Sequence, residues 1–499
     1  MSVEISTANE PLLLSDLPLE LLGEIATMFS QAEAASLLTV SKHFHEEFSR
    51  TVWRHLVISG KHLRTLPSAW RRYGHLVRIL EVAFGQMEKH VPGRMRRTSD
   101  RMKDTGPVIA SFFNSCGGGG GDGGGELAGL RKLRVVFCDH FSWDIKDAGT
   151  VTDWVHGAES RNQNIKVDWD VYCSDAKQCV IVDKLVQCVD NIGNHTLSVM
   201  VQTDEVVSPM YLPKFAEIIT ELNLSYYDSF IFFAQCKRLF GNRNIIYPRL
   251  ERLYLSSSLF QGGHDEDALV NFGPAQFPSL RHLELSFEDH ADAGLYAPIH
   301  SHTWPTVIEL TLLHCETERM LAATLRSFPN VNRLKVIGGY STELQSISRH
   351  LQQLETLTIQ GIYDPAYIIS DEEGVHCQLS NIRELVITAD GQGEPIGIKA
   401  DTIRFILHGA PKLETLNLYH CWYSNKYLDQ FDGQVNGSVH TVIIGPRTPS
   451  YLDKKIAKLI ALFPNLQLLK MLENNEDGRR RWQELFPSIK VELVKYIRE

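Results

Sequence analysis

Along most of the chain the hydrophobic residues return in one short phrase, Leu-x-x-Leu-x-Leu or a close aliphatic equivalent. The clearest copies are Leu250-Leu253-Leu255, Leu280-Leu283-Leu285, Val307-Leu310-Leu312 and Val331-Leu334-Val336. They continue as Leu354-Leu357-Ile359, Ile382-Leu385-Ile387, Leu413-Leu416-Leu418, Val439-Val442-Ile444 and Leu466-Leu469-Met471. Successive copies start 23 to 31 residues apart, the range of repeats that hold one strand and one return segment. Within each phrase apolar and polar positions alternate, as along a half-buried strand. Five copies follow an aromatic–proline pair: Tyr247-Pro248, Phe277-Pro278, Trp304-Pro305, Phe328-Pro329 and Phe463-Pro464. Proline there ends the preceding helix and begins the return to a strand.

Fainter copies carry the pattern toward the N-terminus, at Val77–Val82 and at Leu130-Leu133-Val135. Between 139 and 246 the beat is degenerate. Ile165–Val171, Leu197–Val201 and Leu222–Leu224 read as strands, and 177–192 and 230–240 have helical apolar spacing. Parallel neighbours need a crossover, which a helix supplies. The pattern therefore predicts an α/β solenoid of roughly fourteen parallel strands between Leu80 and Met471, with helices on the convex side.

The consensus aliphatic residues must point inward and stack, because one repeat cannot bury its face alone. The residues flanking the central consensus position then point outward, onto the concave face. That stripe reads Arg252 and Tyr254, His282 and Glu284, Glu309 and Thr311, Arg333 and Lys335, Thr356 and Thr358. It goes on through Glu384 and Val386, Thr415 and Asn417, Thr441 and Ile443. Its mixture of charge, hydroxyl and aliphatic groups suits a protein target. Arg252, Tyr254, His282, Glu284, Glu309, Arg333, Lys335 and Asn417 are the expected substrate-binding residues. Three copies carry Cys after the strand, at Cys138, Cys315 and Cys421. A small side chain fits the tight turn there and needs no catalytic role.

The stretch Leu14–Leu56 has a different rhythm, that of three short helices. Pro18 suits a first turn, and Leu21, Leu22, Ile25, Met28 and Phe29 recur at helical spacing. Ser30 and Glu33 have capping-box spacing, and Phe44 and Phe48 lie four apart on one face. About 40 residues bury too little surface to stand comfortably alone. The series Leu17-Pro18-x-Glu20-Leu21-Leu22-x-x-Ile25, then Leu37-Leu38, then Val40-Ser41-Lys42-x-Phe44, then Trp53, resembles an F-box. Ser30-Gln31 replaces the Leu-Pro of many members, and Phe44 replaces a Trp. The resemblance implies an F-box protein with leucine-rich repeats, the substrate receptor of a Skp1–cullin–F-box ubiquitin ligase. It implies that Leu17, Pro18, Leu21, Ile25, Leu37, Val40 and Trp53 hold a Skp1-like adaptor, and through it a cullin. Ligation chemistry would belong to other subunits.

The expected organisation is a loose leader at 1–13, the helical unit at 14–56 and a bridge with a first degenerate repeat at 57–84. A basic and glycine-rich insertion follows at 85–126, then the solenoid at 127–475 and a C-terminal cap at 476–499. The run of glycines at 117–125 ends in Glu126-Leu127, without the Lys-Ser/Thr of a phosphate loop.

A net charge of −10 argues against a general nucleic-acid surface. Nine cysteines without a secretory leader favour a reducing cytosol or nucleus. No apolar run is long enough for a membrane span. Cys173, Cys179, Cys188 and His195 lack a paired C-x-x-C and make a poor zinc set. No elbow serine or kinase signature appears. The expected protein is an adaptor without an active site, metal or cofactor. Its rivals are a repeat scaffold acting without ubiquitin transfer and a cysteine hydrolase.

Overall fold

A computed structural model describes residue 25 and residues 31–38, 42–59, 76–84, 130–137, 152, 155–159, 164–173, 194–202, 215–225, 245–256, 272–287, 297–315, 317–339, 344–362, 378–388, 396–398, 400–419, 421–423, 425–445, 453–471 and 476–493. Leu17, Pro18, Leu21, Val40, Cys138, Cys179 and Cys188 lie outside these residues. So do the leader 1–13, the insertion 85–126 and the helices expected at 177–192 and 230–240. The chain divides into two compact units, Met1–Ser198 and Val199–Glu499.

The first unit begins with helices α1 (Gln31–Leu37) and α2 (Lys42–Arg54), which pack on each other. Ala34 and Phe48 are fully buried. Helix α2 runs without a break into strand β1 (His55–Ser59), so Leu56 belongs to the sheet rather than to a helix. Strands β2 (Ile79–Phe84), β3 (Lys132–Phe137), β4 (Lys166–Cys173) and β5 (His195–Gln202) follow in spatial order. From β1 to β4 the pairing is parallel and in register. Leu56, Leu80, Leu133 and Val167 form one row, and Ile58, Val82, Val135 and Trp169 another.

In the second unit the strands again stand side by side in chain order. They are β6 (Ile219–Ser225), β7 (Arg252–Ser256), β8 (His282–Ser286), β9 (Glu309–Leu313), β10 (Arg333–Gly339), β11 (Thr356–Ile362) and β12 (Glu384–Thr388). A short β13 (Ile396–Ile398) leaves the main sheet, β14 (Thr415–Leu418) rejoins it, and β15 (Cys421–Tyr423) pairs with β13. The main sheet continues through β16 (Thr441–Ile444) and β17 (Leu468–Met471) to β18 (Lys490–Leu493). All these pairs are parallel, and the sheet does not close on itself.

The connecting helices are α3 (Ala297–His300), α4 (Glu318–Arg326), α5 (Leu344–His350), α6 (Ala400–Arg404), α7 (Asn425–Leu428), α8 (Asp453–Ala461) and α9 (Glu476–Leu485). Thr317 caps α4, its hydroxyl accepting from the Met320 amide at 3.3 Å. Strand, return segment and strand, each new strand beside the last, fit a leucine-rich-repeat solenoid. The tail holds α9 and one further parallel strand.

Three features knit the repeats together. The first is the leucine row: Leu253, Leu283, Leu310, Leu334, Leu357, Leu385, Leu416, Val442 and Leu469 are all buried and in register. Each such side chain contributes about 1.5–3 kcal/mol by leaving water.

The second is an aromatic spine built from the residues before proline. Tyr247 stacks on Phe277 (centroids 5.6 Å apart), Phe277 on Trp304 (6.1 Å) and Trp304 on Phe328 (6.2 Å). Each aromatic carbonyl also accepts the amide three residues on, as in Leu280 N–H to Phe277 O at 3.1 Å. Proline occupies the second place of that turn, where its fixed φ is already correct.

The third is a polar ladder at the residue just before the consensus start. The Asn330 amide donates to Pro305 O (2.8 Å), Asn381 to Gln352 O (3.0 Å) and Asn465 to Gly437 O (2.7 Å), while the Ser279 hydroxyl donates to Pro248 O (2.6 Å).

Candidate interaction face

In a parallel in-register sheet, residues of one parity on every strand share a face. Opposite the buried leucines of the second unit, two rows of side chains cross the strands. One runs Glu221, Arg252, His282, Glu309, Arg333, Thr356, Glu384, Thr415 and Thr441. The other runs Asn223, Tyr254, Glu284, Thr311, Lys335, Thr358, Val386, Asn417 and Ile443. Every residue of the expected stripe thus lies on this face. Arg252, Arg333 and Lys335 are exposed, and Tyr254, His282, Glu284, Glu309 and Asn417 are half-buried between their neighbours.

From β6 to β10 the face is charged, and three of its charged side chains pair with one another. Glu309 accepts from His282 Nδ1 at 3.1 Å and from Arg333 Nη1 at 2.8 Å. Burial alone would raise the Glu309 carboxyl, but these two partners outweigh it and hold the group below its ordinary value. Tyr254 lies against the His282 ring, centroids 5.5 Å apart. Burial, then the Glu221 carboxylate that its hydroxyl contacts, pushes the phenol up to about 12. Glu284 is raised by burial, a shift that His282 and Lys335 oppose. From β11 to β16 the same face changes character. Thr356, Thr358, Val386, Thr415, Asn417, Thr441 and Ile443 are uncharged, and Glu384 stands among them.

The first unit has a charged sheet face too, which sequence reasoning did not single out. Arg134 bridges Glu81 (3.4 Å) and Asp170 (2.5 Å), while Lys132 and the Thr196 hydroxyl both bind Asp168. The signal was present in the alternation of Lys166, Asp168 and Asp170 along β4.

Of the residues expected to hold an adaptor, Ile25 is helical and half-buried. Leu37 ends α1, and Trp53 is half-buried in the last turn of α2.

His195, considered above as a zinc ligand, has another occupation. Trp169 Nε1 donates to its Nδ1 at 3.0 Å, and its Nε2 faces Glu159 Oε1 at 2.5 Å. An indole N–H can only donate, so Nδ1 is the bare nitrogen and Nε2 carries the proton toward the carboxylate. Cys315 is buried. Cys421 donates its thiol to Ile387 O at 3.1 Å, and burial pushes that thiol far above its usual range. Neither environment favours a thiolate nucleophile. Among the described residues no three His, Cys, Asp or Glu side chains are placed to share a metal ion. No helix among them is long and apolar enough to cross a membrane.

Fold and face together define an α/β repeat solenoid with an open polar sheet face. No protein-family model matches the chain, and no curated protein matches its sequence. One similar solved structure is the crystal structure of the Rad7 and Elc1 complex in yeast. It is 12% identical, the match covering 97% of this chain and 98% of that chain, with a TM-score of 0.34. A likeness that distant carries no argument about function.

Proposed function

We propose that the chain is a substrate receptor of a Skp1–cullin–F-box ubiquitin ligase. The observation that carries this reading is the ordered F-box series between Leu17 and Trp53, placed directly before a repeat array. The end of α2 at Arg54 leads straight into β1, which suits a hook that transmits its position to the array without a slack joint. In this reading Leu17, Pro18, Leu21, Ile25, Leu37, Val40 and Trp53 hold a Skp1-like adaptor, and the outer face of the second unit's sheet holds a target protein. The chain's contribution is proximity: the target is held at high effective concentration beside the transferred ubiquitin. The work belongs to the cytosol or nucleus.

The test is recovery of purified Skp1 by the intact chain and by the Leu17→Ala/Pro18→Ala double variant. The intact chain is expected to retain Skp1 and the variant to lose it, with the far-ultraviolet circular dichroism of both unchanged. Equal recovery by both would reject the assigned contact. No recovery by either would favour a repeat scaffold acting without ubiquitin transfer.

A further inference from the structure

The outer sheet face of the second unit is divided, and one residue breaks the division. Between β8 and β10 both acidic side chains have a cation near them: Glu309 shares His282 and Arg333, and Glu284 lies near His282 and Lys335. A partner's charge arriving there must displace an existing ion pair, and the exchange yields little. Between β11 and β16 the surroundings are hydroxyl and methyl groups. Glu384 stands there, exposed on β12, with Thr356 and Thr415 beside it on the flanking strands and Val386 next along its own face. Among the described residues it has no ion pair or side-chain hydrogen bond. The nearest arginine in the chain, Arg383, is turned to Glu414 at 2.8 Å. Hydroxyl and methyl groups cost less to take out of water than ions do. Among the described residues this part of the face thus surrounds one carboxylate without an ion pair, a pattern complementary to a single cation in a neutral setting.

We propose that the bound target places a lysine or arginine on Glu384, within an extended segment of small and aliphatic residues lying over β11–β16. This rests on reading the face as the target-binding surface. The basic side chain gives register, and the threonines, Val386 and Ile443 give the desolvated area around it.

The probe is a set of randomised ten-residue peptide pools on a solid support, with lysine, alanine or glutamate fixed at the centre. Each is read by retention of the full-length chain. Wild type is expected to favour the lysine pool over the alanine pool about fivefold, the scale of one exposed ion pair, and to disfavour the glutamate pool. Glu384→Gln should abolish that preference, and Glu384→Lys should invert it. Asp429→Asn, which breaks the ion pair with Lys458 away from this sheet face, should leave it intact. A lysine preference that survives Glu384→Gln, or no preference in wild type, overturns the proposal. Thr358→Arg/Thr415→Arg separates the two levels of the argument. Retention lost there but blind to Glu384 leaves the face as the binding surface and rejects its charge rule. Retention unchanged there rejects the face itself.

Discussion

Trp304 shows how one side chain joins several repeats. It is fully buried, stacks on both Phe277 and Phe328, and donates its indole N–H to Ile299 O at 3.2 Å. Trp304→Ala should cost about 3–5 kcal/mol, read as a lowered urea midpoint. Gly338 is confined in another way. Its φ is +60°, and an added Cβ would lie 2.9 Å from His314 Nδ1, itself on a residue with φ of 56°. Gly338→Ala therefore meets both strain and a clash, and should destabilise by more than about 1 kcal/mol in the same assay. Tyr254 offers a spectroscopic check. Its folded pKa is raised, so the protonated phenol favours the fold. That stability is complete below the unfolded value near 10 and is lost as pH rises through about 12. An ultraviolet titration should show a tyrosine ionising near pH 12 in wild type that is missing from the Tyr254→Phe curve. The leucines could be read directly, because burial in a strand imposes a period of two. The aromatic–proline pairs were read only as stop signals, since nothing in a one-dimensional pattern says that residues about 27 apart stack face to face.

Between neighbouring elements, polar groups set the fine alignment. Asn436 is buried, donating to Ile406 O (2.7 Å) and Ala410 O (3.1 Å) and accepting from the Ser438 amide (3.0 Å) and hydroxyl (2.6 Å). Asn436→Ala removes the side-chain donor to Ile406 O and one of the two donors to Ala410 O, and should cost about 1–3 kcal/mol in a denaturant titration. Glu309 links β8, β9 and β10 through His282 and Arg333. Its folded pKa is lowered, so its contribution is present above the unfolded carboxylate value and lost as pH falls through the folded one. Glu309→Gln should therefore lower the urea midpoint at pH 7 by more than at pH 3. The alternation in each phrase made the outward positions of these strands legible. Their pairing was not, because whether Glu309 meets Arg333 or a solvent ion depends on rotamers and on register between strands. The junction of α2 and β1 was also missed: helical spacing and an approaching strand overlap at Trp53–Leu56, and the sequence pattern alone does not rank them.

At the scale of the molecule, each strand in the array rests on its two neighbours, so stability is close to a sum of local and nearest-neighbour contributions. Native-state hydrogen exchange should show the slowest amides in β8–β11, paired on both sides, and faster ones in β18, which among the described residues pairs with β17 alone. Uniform protection through to β18 would contradict that additive picture. The sequence by itself determined the class of fold, the identity of the inward and outward residues, and the F-box resemblance before the repeats. These are local or periodic properties, set by side-chain alternation and by burial that every copy repeats. Only the tertiary structure decided which outward charges neutralise one another, that the prolines' aromatic neighbours form a spine, that His195 belongs to Trp169 and Glu159, and that Glu384 is left over. Those outcomes depend on distances across strands, and a chain read in one dimension contains the partners but not the separations between them.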